Sequence, residues 1–179
     1  ARKGIIAATA TDTAALSGTT PKACIRKYWA VPLRNELMHE IGIRMLIRKI
    51  QLIGMQYEKA LTPVFSHSTQ HYMRVYLQAE KTRERIPELW NQLGYFHYCN
   101  NCLARKASLW NREKCNCGST MMTAGPMWLG KLWDESLVKR MMKSADKKNK
   151  ELRTLLMTIN EEAQVPAVGF YDLDPFCSR

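Results

Sequence analysis

The run Gly4-Ile5-Ile6-Ala7-Ala8-Thr9-Ala10-Thr11 lies near the start of the sequence and is apolar or β-branched almost throughout. Such a run is typical of a β-strand covered on both faces, as in the sheet of an α/β protein. Asp12 and Thr13 follow it directly. Ligands of open α/β sheets bind beyond the carboxyl ends of the strands, so in such a sheet these two side chains are predicted to face a functional site.

A long helix is predicted next, from just after Pro32 to about Ala60, with Pro63 closing it. Nearly all of its surface is apolar, which predicts a helix buried against a sheet or between domains. Its polar positions share one sector and include Glu40 and Arg44, four residues apart. This spacing favours a structural ion pair over a contact with RNA.

Residues 64–77 then alternate between polar and apolar side chains, which indicates a half-buried strand. The change of pattern predicts two domains, residues 1–61 and 62–179. In the second, a short helix is predicted over residues 82–93, and a later helix is predicted to be capped by Asp134.

The composition limits the classes of partner. The 179 residues include 27 Lys and Arg against 16 Asp and Glu, giving a net charge of +11, and 46% of the residues are hydrophobic. That hydrophobic fraction excludes a wholly disordered chain, and no apolar run is long enough to span a bilayer. The charge favours nucleic acid as partner, then an anionic membrane surface, while a merely solubilising charged face is the alternative.

Four of the six cysteines form two close pairs, Cys99-Asn100-Asn101-Cys102 and Cys115-Asn116-Cys117. Two such pairs on facing turns supply four thiolates to a tetrahedral Zn²⁺, with no open position for water, which predicts a structural zinc site. His97 is an alternative ligand. The competing interpretation is a set of core cysteines or two disulfides. The remaining two, Cys24 and Cys177, are expected to be free or buried thiols in a reducing cytoplasm.

Basic side chains surround these pairs, and Trp110 lies among them. Basic groups neutralise phosphates and an aromatic ring stacks on an unpaired base, so this segment is a candidate RNA-binding surface. Its candidate residues are Arg105, Lys106, Arg112 and Lys114. A second basic stretch over residues 139–153 is either a phosphate-binding face or a solvated helix face. No nucleophile, P-loop, metalloprotease or glycine-rich dinucleotide motif is present, so the residues alone indicate no catalysis.

Several stretches together resemble the tRNA N2,N2-dimethylguanosine methyltransferase family, which modifies guanosine 26 of tRNA. They follow the family order over nearly the whole chain: Thr9-Ala10-Thr11-Asp12-Thr13-Ala14, Arg26-Lys27-Tyr28, Pro32-Leu33-Arg34, His39-Glu40-Ile41-Gly42-Ile43-Arg44, Ser66-His67-Ser68, His71-Tyr72-Met73-Arg74-Val75-Tyr76, Leu93-Gly94-Tyr95, the stretch from Gly125 to Asp134, and Pro166 with Tyr171-Asp172-Leu173.

The resemblance implies an α/β fold: the distal part of a Rossmann-like class I methyltransferase sheet, followed by an α+β, zinc-containing tRNA-binding domain. It implies methyl transfer from S-adenosylmethionine to the exocyclic N2 of guanosine 26. In that family the S-adenosylmethionine site and the catalytic aspartate of an Asp-Pro-Phe-Gly motif precede the part matched here. Asp12 and Thr13 are then supporting residues. Asp174-Pro175-Phe176 lacks the glycine and the position of the motif, and we treat it as coincidence.

The implied partner is tRNA, with no membrane and no DNA expected, and the oligomeric state is left open. The basic residues of the matched stretches are RNA-binding candidates, namely Arg26, Lys27, Arg34 and Arg74. We expect a cytoplasmic location, or a nuclear or mitochondrial one in a eukaryote. Two alternatives stay open: a non-enzymatic zinc-stabilised RNA-binding module, and a cysteine-based redox protein, which the second cysteine pair and the charge disfavour.

Overall fold

The computed structural model describes residues 3–69, 71–165 and 167–171, which form six strands and six helices. In chain order they are β1 (Lys3–Ala10), α1 (Thr13–Leu16), α2 (Pro21–Tyr28), α3 (Met38–Gln56), β2 (Lys59–Ser68), β3 (Met73–Lys81), α4 (Ile86–Trp90), β4 (Leu93–Tyr98), β5 (Arg105–Ser108), β6 (Met122–Trp128), α5 (Glu135–Ser144) and α6 (Lys150–Glu162). The predicted segment at Asp172-Leu173, the triplet Asp174-Pro175-Phe176, Pro166 and Cys177 lie outside the described residues.

The strands form two antiparallel sheets of three. The first has the order β1-β3-β2, with Lys3 opposite Glu80 and Ala10 opposite Met73 in the β1–β3 pair. The second has the order β5-β4-β6. Helices and strands are interspersed along the chain, which agrees with the predicted α/β class, but every strand pair among the described residues is antiparallel.

Strand β1 is confirmed as a strand, but the expectation that both of its faces are covered is wrong for this chain. It is an edge strand of the first sheet, and the side chain of Ile5 is 68% exposed. Apolar character marks a strand suited to burial, but most residues of β1 are exposed among the described residues. Among the described residues no second strand pairs with β1.

Helix α3 is shorter at both ends than the apolar pattern predicts. It begins at Met38, after a turn in which the side chain of Asn35 accepts a hydrogen bond from the N–H of Leu37 (3.0 Å). It ends at Gln56, and Glu58 then takes a left-handed conformation (φ 56°) that turns the chain into β2. Pro63 therefore lies in β2, at an irregularity of its pairing with β3, where a missing N–H is tolerated.

The predicted burial of α3 is confirmed, because the helix packs against β2, β3 and β6 and so joins the two sheets in one hydrophobic core. The side chains of Leu37, Ile41, Met45 and Ile47 are fully buried. Gly42 lets the helix approach β3, since a Cβ there would lie 2.7 Å from the side chain of Met73. No helix among the described residues is long and apolar enough to cross a membrane.

Strand β2 runs through the predicted domain boundary at residues 61 and 62, so the first sheet takes strands from both sides of it. The single half-buried strand predicted over residues 64–77 is instead two strands, the end of β2 and the start of β3, joined by a turn. The predicted alternation is confirmed in β3. In β3, Met73, Val75 and Leu77 face the core and the intervening residues are part-exposed. The short helix predicted over residues 82–93 is a single turn and a half, Ile86–Trp90, because β4 begins at Leu93.

The cap predicted at Asp134 is confirmed and leads to the first stability prediction. The Asp134 carboxylate accepts hydrogen bonds from the Ser136 hydroxyl (2.6 Å) and the Leu137 N–H (2.7 Å), and these lower its pKa. We expect Asp134→Ala to cost about 1 kcal/mol at pH 7. A lowered pKa means that this stabilisation is present above the unfolded pKa of about 4 and is lost as the pH falls through the folded pKa.

Urea unfolding at pH 7 and below pH 4 measures the effect. Asn149→Ala is the matched control, because Asn149 caps α6 through a neutral amide that accepts from the Leu152 N–H (3.0 Å). The difference in free energy of unfolding between Asp134→Ala and the unsubstituted chain should become smaller in acid. The corresponding difference for Asn149→Ala should not change. An equal loss from Asp134→Ala at both pH values contradicts the prediction.

Candidate metal centre and nucleic-acid interface

The four predicted zinc ligands converge on one point. Cys99 and Cys102 follow β4, Cys115 and Cys117 lie in the connection from β5 to β6, and all four Sγ atoms are within 4.8 Å of one another. The Sγ–Sγ distances are 3.6 Å for Cys99–Cys117, and 3.3 Å for both Cys102–Cys115 and Cys115–Cys117. No disulfide joins these four cysteines in the structure.

Two tight turns produce this convergence. In the first, the N–H of Leu103 donates to the Cys99 carbonyl (2.9 Å) and Leu103 takes a left-handed conformation (φ 62°). In the second, the N–H of Gly118 donates to the Cys115 carbonyl (3.0 Å) with φ 83°, a conformation that favours glycine. Backbone geometry thus brings both cysteine pairs to face each other.

The cluster fits a tetrahedral metal ion. Zn–S bonds of about 2.3 Å in a tetrahedron place the sulfurs about 3.8 Å apart, close to the observed separations. Hydrogen bonds from Ser119, through its hydroxyl and its N–H, lower the pKa of Cys117 to about 5, which favours its thiolate form. Thiolate is the form that binds soft and borderline metals.

His97 lies outside this ligand set. It is buried in β4, where its Nδ1 faces the Thr123 hydroxyl (2.9 Å) and its Nε2 lies 3.0 Å from the Trp110 carbonyl. Because a carbonyl only accepts, Nε2 carries the proton and Nδ1 accepts from Thr123. Burial lowers the pKa of His97. The imidazole therefore holds the loop after β5 against the sheet as a neutral group.

Asp12 and Thr13 lie where the sequence predicts, directly after β1 and at the start of α1. The Asp12 carboxylate is 2.6 Å from the ammonium of Lys27 on α2. Two of the proposed site residues thus contact each other. Burial raises the pKa of Cys24 to about 11, and the negative charge of Asp12 contributes a smaller part of this rise. The buried thiol is therefore protonated.

The basic candidates divide into paired and solvent-facing groups. The Arg105 side chain is 5% exposed, pairs with Glu36 (2.9 Å) and lies over the ring of Tyr98, which is the environment of a structural arginine. Lys106 pairs with Glu113 (2.7 Å), and Arg74 donates to the Thr9 hydroxyl (2.8 Å). The exposed candidates with no ion pair to another described residue are Arg26, Arg34, Arg112 and Lys114.

Sequence reasoning missed a small pocket between the end of α2 and the second sheet. It has a volume of about 350 Å³ and is lined by Ile25, Trp29, Ala30, Val31, Tyr95, Asn111, Thr123, Gly125 and Pro126. A bridge between Val31 and Gly125 closes one side of it. These residues are distant in sequence, and only the aromatic character of Trp29 and Tyr95 gave a signal.

Comparison with known proteins identifies a family and several relatives that this chain resembles. A family model described as N2,N2-dimethylguanosine tRNA methyltransferase matches residues 1–179. The tRNA (guanine(26)-N(2)/guanine(27)-N(2))-dimethyltransferase of Aquifex aeolicus is 44% identical over 99% of this chain and 47% of its own length. The tRNA (guanine(26)-N(2))-dimethyltransferase of Methanobrevibacter smithii is 37% identical over 98% of this chain and 47% of its own length.

A solved structure shows the same fold. The complex of Trm1 from Pyrococcus horikoshii with S-adenosyl-L-methionine superposes with a TM-score of 0.83 at 32% identity. The match covers 96% of this chain and 45% of that one. The chain therefore spans about half the length of the relatives that it matches.

Proposed function

The chain belongs to the N2,N2-dimethylguanosine tRNA methyltransferase family, as the sequence motifs predicted, and from this membership we propose that it is the tRNA-holding part of a tRNA methyltransferase. The complete enzyme transfers methyl groups from S-adenosylmethionine to the exocyclic N2 of guanosine 26. The observation that carries this proposal is the match over all 179 residues, together with the shared fold at a TM-score of 0.83.

The reaction needs a carboxylate and an extruded base. The lone pair of the guanine N2 amine is delocalised into the ring, so the amine is a weak nucleophile, and a carboxylate that accepts its proton helps the transfer. The base must leave the stack to reach such a group. S-adenosylmethionine supplies an electrophilic methyl group. We assign its binding, and the catalytic aspartate, to the half of the relatives' length that this chain does not span.

Within this chain, Asp12 and Thr13 are proposed as supporting residues at the end of β1. Asp12 already neutralises Lys27, which lies in a stretch matched to the family. In the proposal this ion pair holds the lysine ammonium in place near the entering nucleotide. A fixed ammonium contacts phosphate with less loss of side-chain entropy than a free one.

We further propose the finer architecture. The first sheet is the distal part of a Rossmann-like methyltransferase sheet, and the second sheet with its cysteine cluster is a zinc-containing tRNA-binding domain. Because β2 and β3 belong to the first sheet, we place the division after Lys81 and not after residue 61. Zinc, bound by Cys99, Cys102, Cys115 and Cys117, would fix the turns that carry the basic loop.

Exposed cations of that loop lead to a binding prediction. Each phosphate contact that is removed lowers the salt dependence of binding, the slope of log K against log salt, by about 1. We expect the double variant Arg112→Gln with Lys114→Gln to weaken tRNA binding and to reduce this slope by about 2. Fluorescence anisotropy with a labelled tRNA transcript, over a range of salt concentrations, measures both quantities.

The matched control removes the same charge elsewhere. Lys59→Gln with Lys81→Gln neutralises two exposed lysines that face each other across β2 and β3. This variant should leave the slope nearly unchanged. If the two double variants lose tRNA affinity equally, binding depends on net charge alone and not on the loop.

A methyl-transfer assay tests whether the cofactor site and the catalytic aspartate lie outside these residues. Labelled S-adenosylmethionine and an unmodified tRNA carrying guanosine 26 are incubated with this 179-residue chain, and a transcript carrying adenosine 26 is the control. We expect no label in either tRNA, with salt-sensitive binding of both. Label at guanosine 26 would contradict our assignment of the cofactor site outside these residues. Absence of tRNA binding would contradict the proposed function itself.

A further inference from the structure

We propose that the pocket between α2 and the second sheet binds one unpaired nucleobase of the tRNA, separate from the base that is methylated. This inference rests on the proposed function, in which the chain holds RNA. The pocket is defined here by Trp29, Tyr95, Asn111 and Thr123 together with the smaller residues that line it, and we call it the α2 pocket.

Its size suits a single small ring system. A volume of about 350 Å³ lies at the lower end of the roughly 300–1,000 Å³ typical of small-ligand sites. The floor is backbone and small side chains, because Gly125 and Pro126 of β6 and Ala30 line it. A flat heteroaromatic ring fits such a site, whereas a paired helix does not.

Trp29 gives the pocket a stacking surface. It follows the last residue of α2 in a left-handed conformation (φ 55°) and is 50% exposed, so the indole projects into solvent instead of joining the core. The Lys49 ammonium lies 2.9 Å from the centre of its ring. Tyr95 contributes a second aromatic ring from β4. Aromatic rings bind unpaired bases by stacking without regard to base identity.

The charges around the pocket favour a nucleotide over an apolar peptide segment. None of the lining residues is acidic. The Arg48 guanidinium donates to the Trp29 carbonyl (3.5 Å), yet its buried Nε has no hydrogen-bond partner among the described residues. Together with the Lys49 ammonium that lies over the Trp29 ring, this gives cations for the phosphates that flank a bound base.

Polar groups for the base edge are also present. The Asn111 side chain is exposed and carries both a donor and an acceptor, as the edge of every base requires. Thr123 also lines the pocket, and its hydroxyl is held by a hydrogen bond to His97 Nδ1. The pocket thus combines stacking, edge recognition and positive charge in one place.

Binding of three RNAs to Trp29 variants tests the proposal. The probes are an unmodified tRNA transcript, an unstructured RNA of about ten nucleotides and a blunt RNA duplex of similar length. We expect Trp29→Ala to weaken binding of the unstructured RNA by about 5- to 100-fold and to change binding of the duplex less than about twofold. Trp29→Phe keeps an aromatic ring and should restore most of the affinity.

The matched control is Trp90→Ala, because Trp90 is also exposed (58%) but lies on α4, away from the pocket lining. It should alter none of the three affinities. Thermal unfolding of each variant checks that the fold is intact. Photocrosslinking with 5-iodouridine in the unstructured RNA, followed by peptide mapping, should locate the contact at Trp29 or Tyr95.

Any of three results would overturn the proposal. Trp29→Ala could leave the affinity for the unstructured RNA unchanged, or it could lower the affinities for the duplex and the unstructured RNA equally. The third is that the crosslinks lie only at other residues. If tRNA binding by the unsubstituted chain is normal and only these results occur, the pocket serves another occupant, such as an apolar protein segment, and the proposed function stands. If the unsubstituted chain binds none of the RNAs, the proposed function fails as well.

Discussion

Replacing Cys115 by serine should abolish stoichiometric zinc binding and lower the melting temperature by about 10 °C or more. The physical reason is the small amount of apolar packing around the cysteine cluster. Among the described residues, its own hydrophobic cluster has Cys99, Cys115 and Met121 as buried members, with Cys102 and Ala104 beside them. Without a metal, four thiols and one methionine are a weak constraint on two facing turns, so a zinc ion bound as proposed would supply most of the local stability.

Metal content by mass spectrometry and thermal unfolding measure this prediction together. Asn116→Ala is the control, since Asn116 is exposed and lies between Cys115 and Cys117. It should keep one zinc per chain and melt within about 2 °C of the unsubstituted chain. Two results together would show that the cluster is not a metal site. The unsubstituted chain would contain no metal, and Cys115→Ser would leave its melting temperature unchanged.

Arg44→Leu is the substitution with the next largest expected effect. We expect it to lower the free energy of unfolding by about 3–5 kcal/mol. The Arg44 side chain is buried, pairs with Glu40 (2.7 Å) and donates to the carbonyls of Trp128 (3.1 Å) and Gly130 (2.8 Å). It thus ties α3 to the segment after β6. Leucine would leave two carbonyls and a partly buried carboxylate without their donor, and Glu40 would keep only the Gly169 N–H (2.9 Å) among the described residues.

Urea unfolding of three variants separates the causes. Arg153→Leu, at an exposed position on α6, should change stability by no more than about 0.5 kcal/mol. The double variant Arg44→Leu with Glu40→Leu should recover part of the loss, because it removes the stranded charge. A small effect of Arg44→Leu alone would mean that the carbonyls of Trp128 and Gly130 find water or another donor when the guanidinium is gone.

Local patterns predicted the features that depend on neighbours in sequence. The alternation around Val75 identified a half-buried strand, Asp134 identified a helix start, and the spacing of Cys99 and Cys102 identified a turn suited to a metal. Each depends on the period of one strand, one turn or one cap, which a few consecutive residues determine. The family motifs were equally readable, because they are continuous stretches in a fixed order.

Packing over long distances decided the rest. Arg105 remains a predicted RNA-binding residue, and only the structure shows that Glu36 and Tyr98, remote in sequence, lie against its guanidinium. The end of α3 depends on where β2 must begin to pair with β3, and not on Pro63. The α2 pocket arises only where α2 meets β4 and β6. The sequence by itself therefore determined the first strand, the cap at Asp134, the cysteine turns and the family, since these follow from local periodicity and spacing. Burial of individual charges and the shape of the pocket are properties of the assembled core.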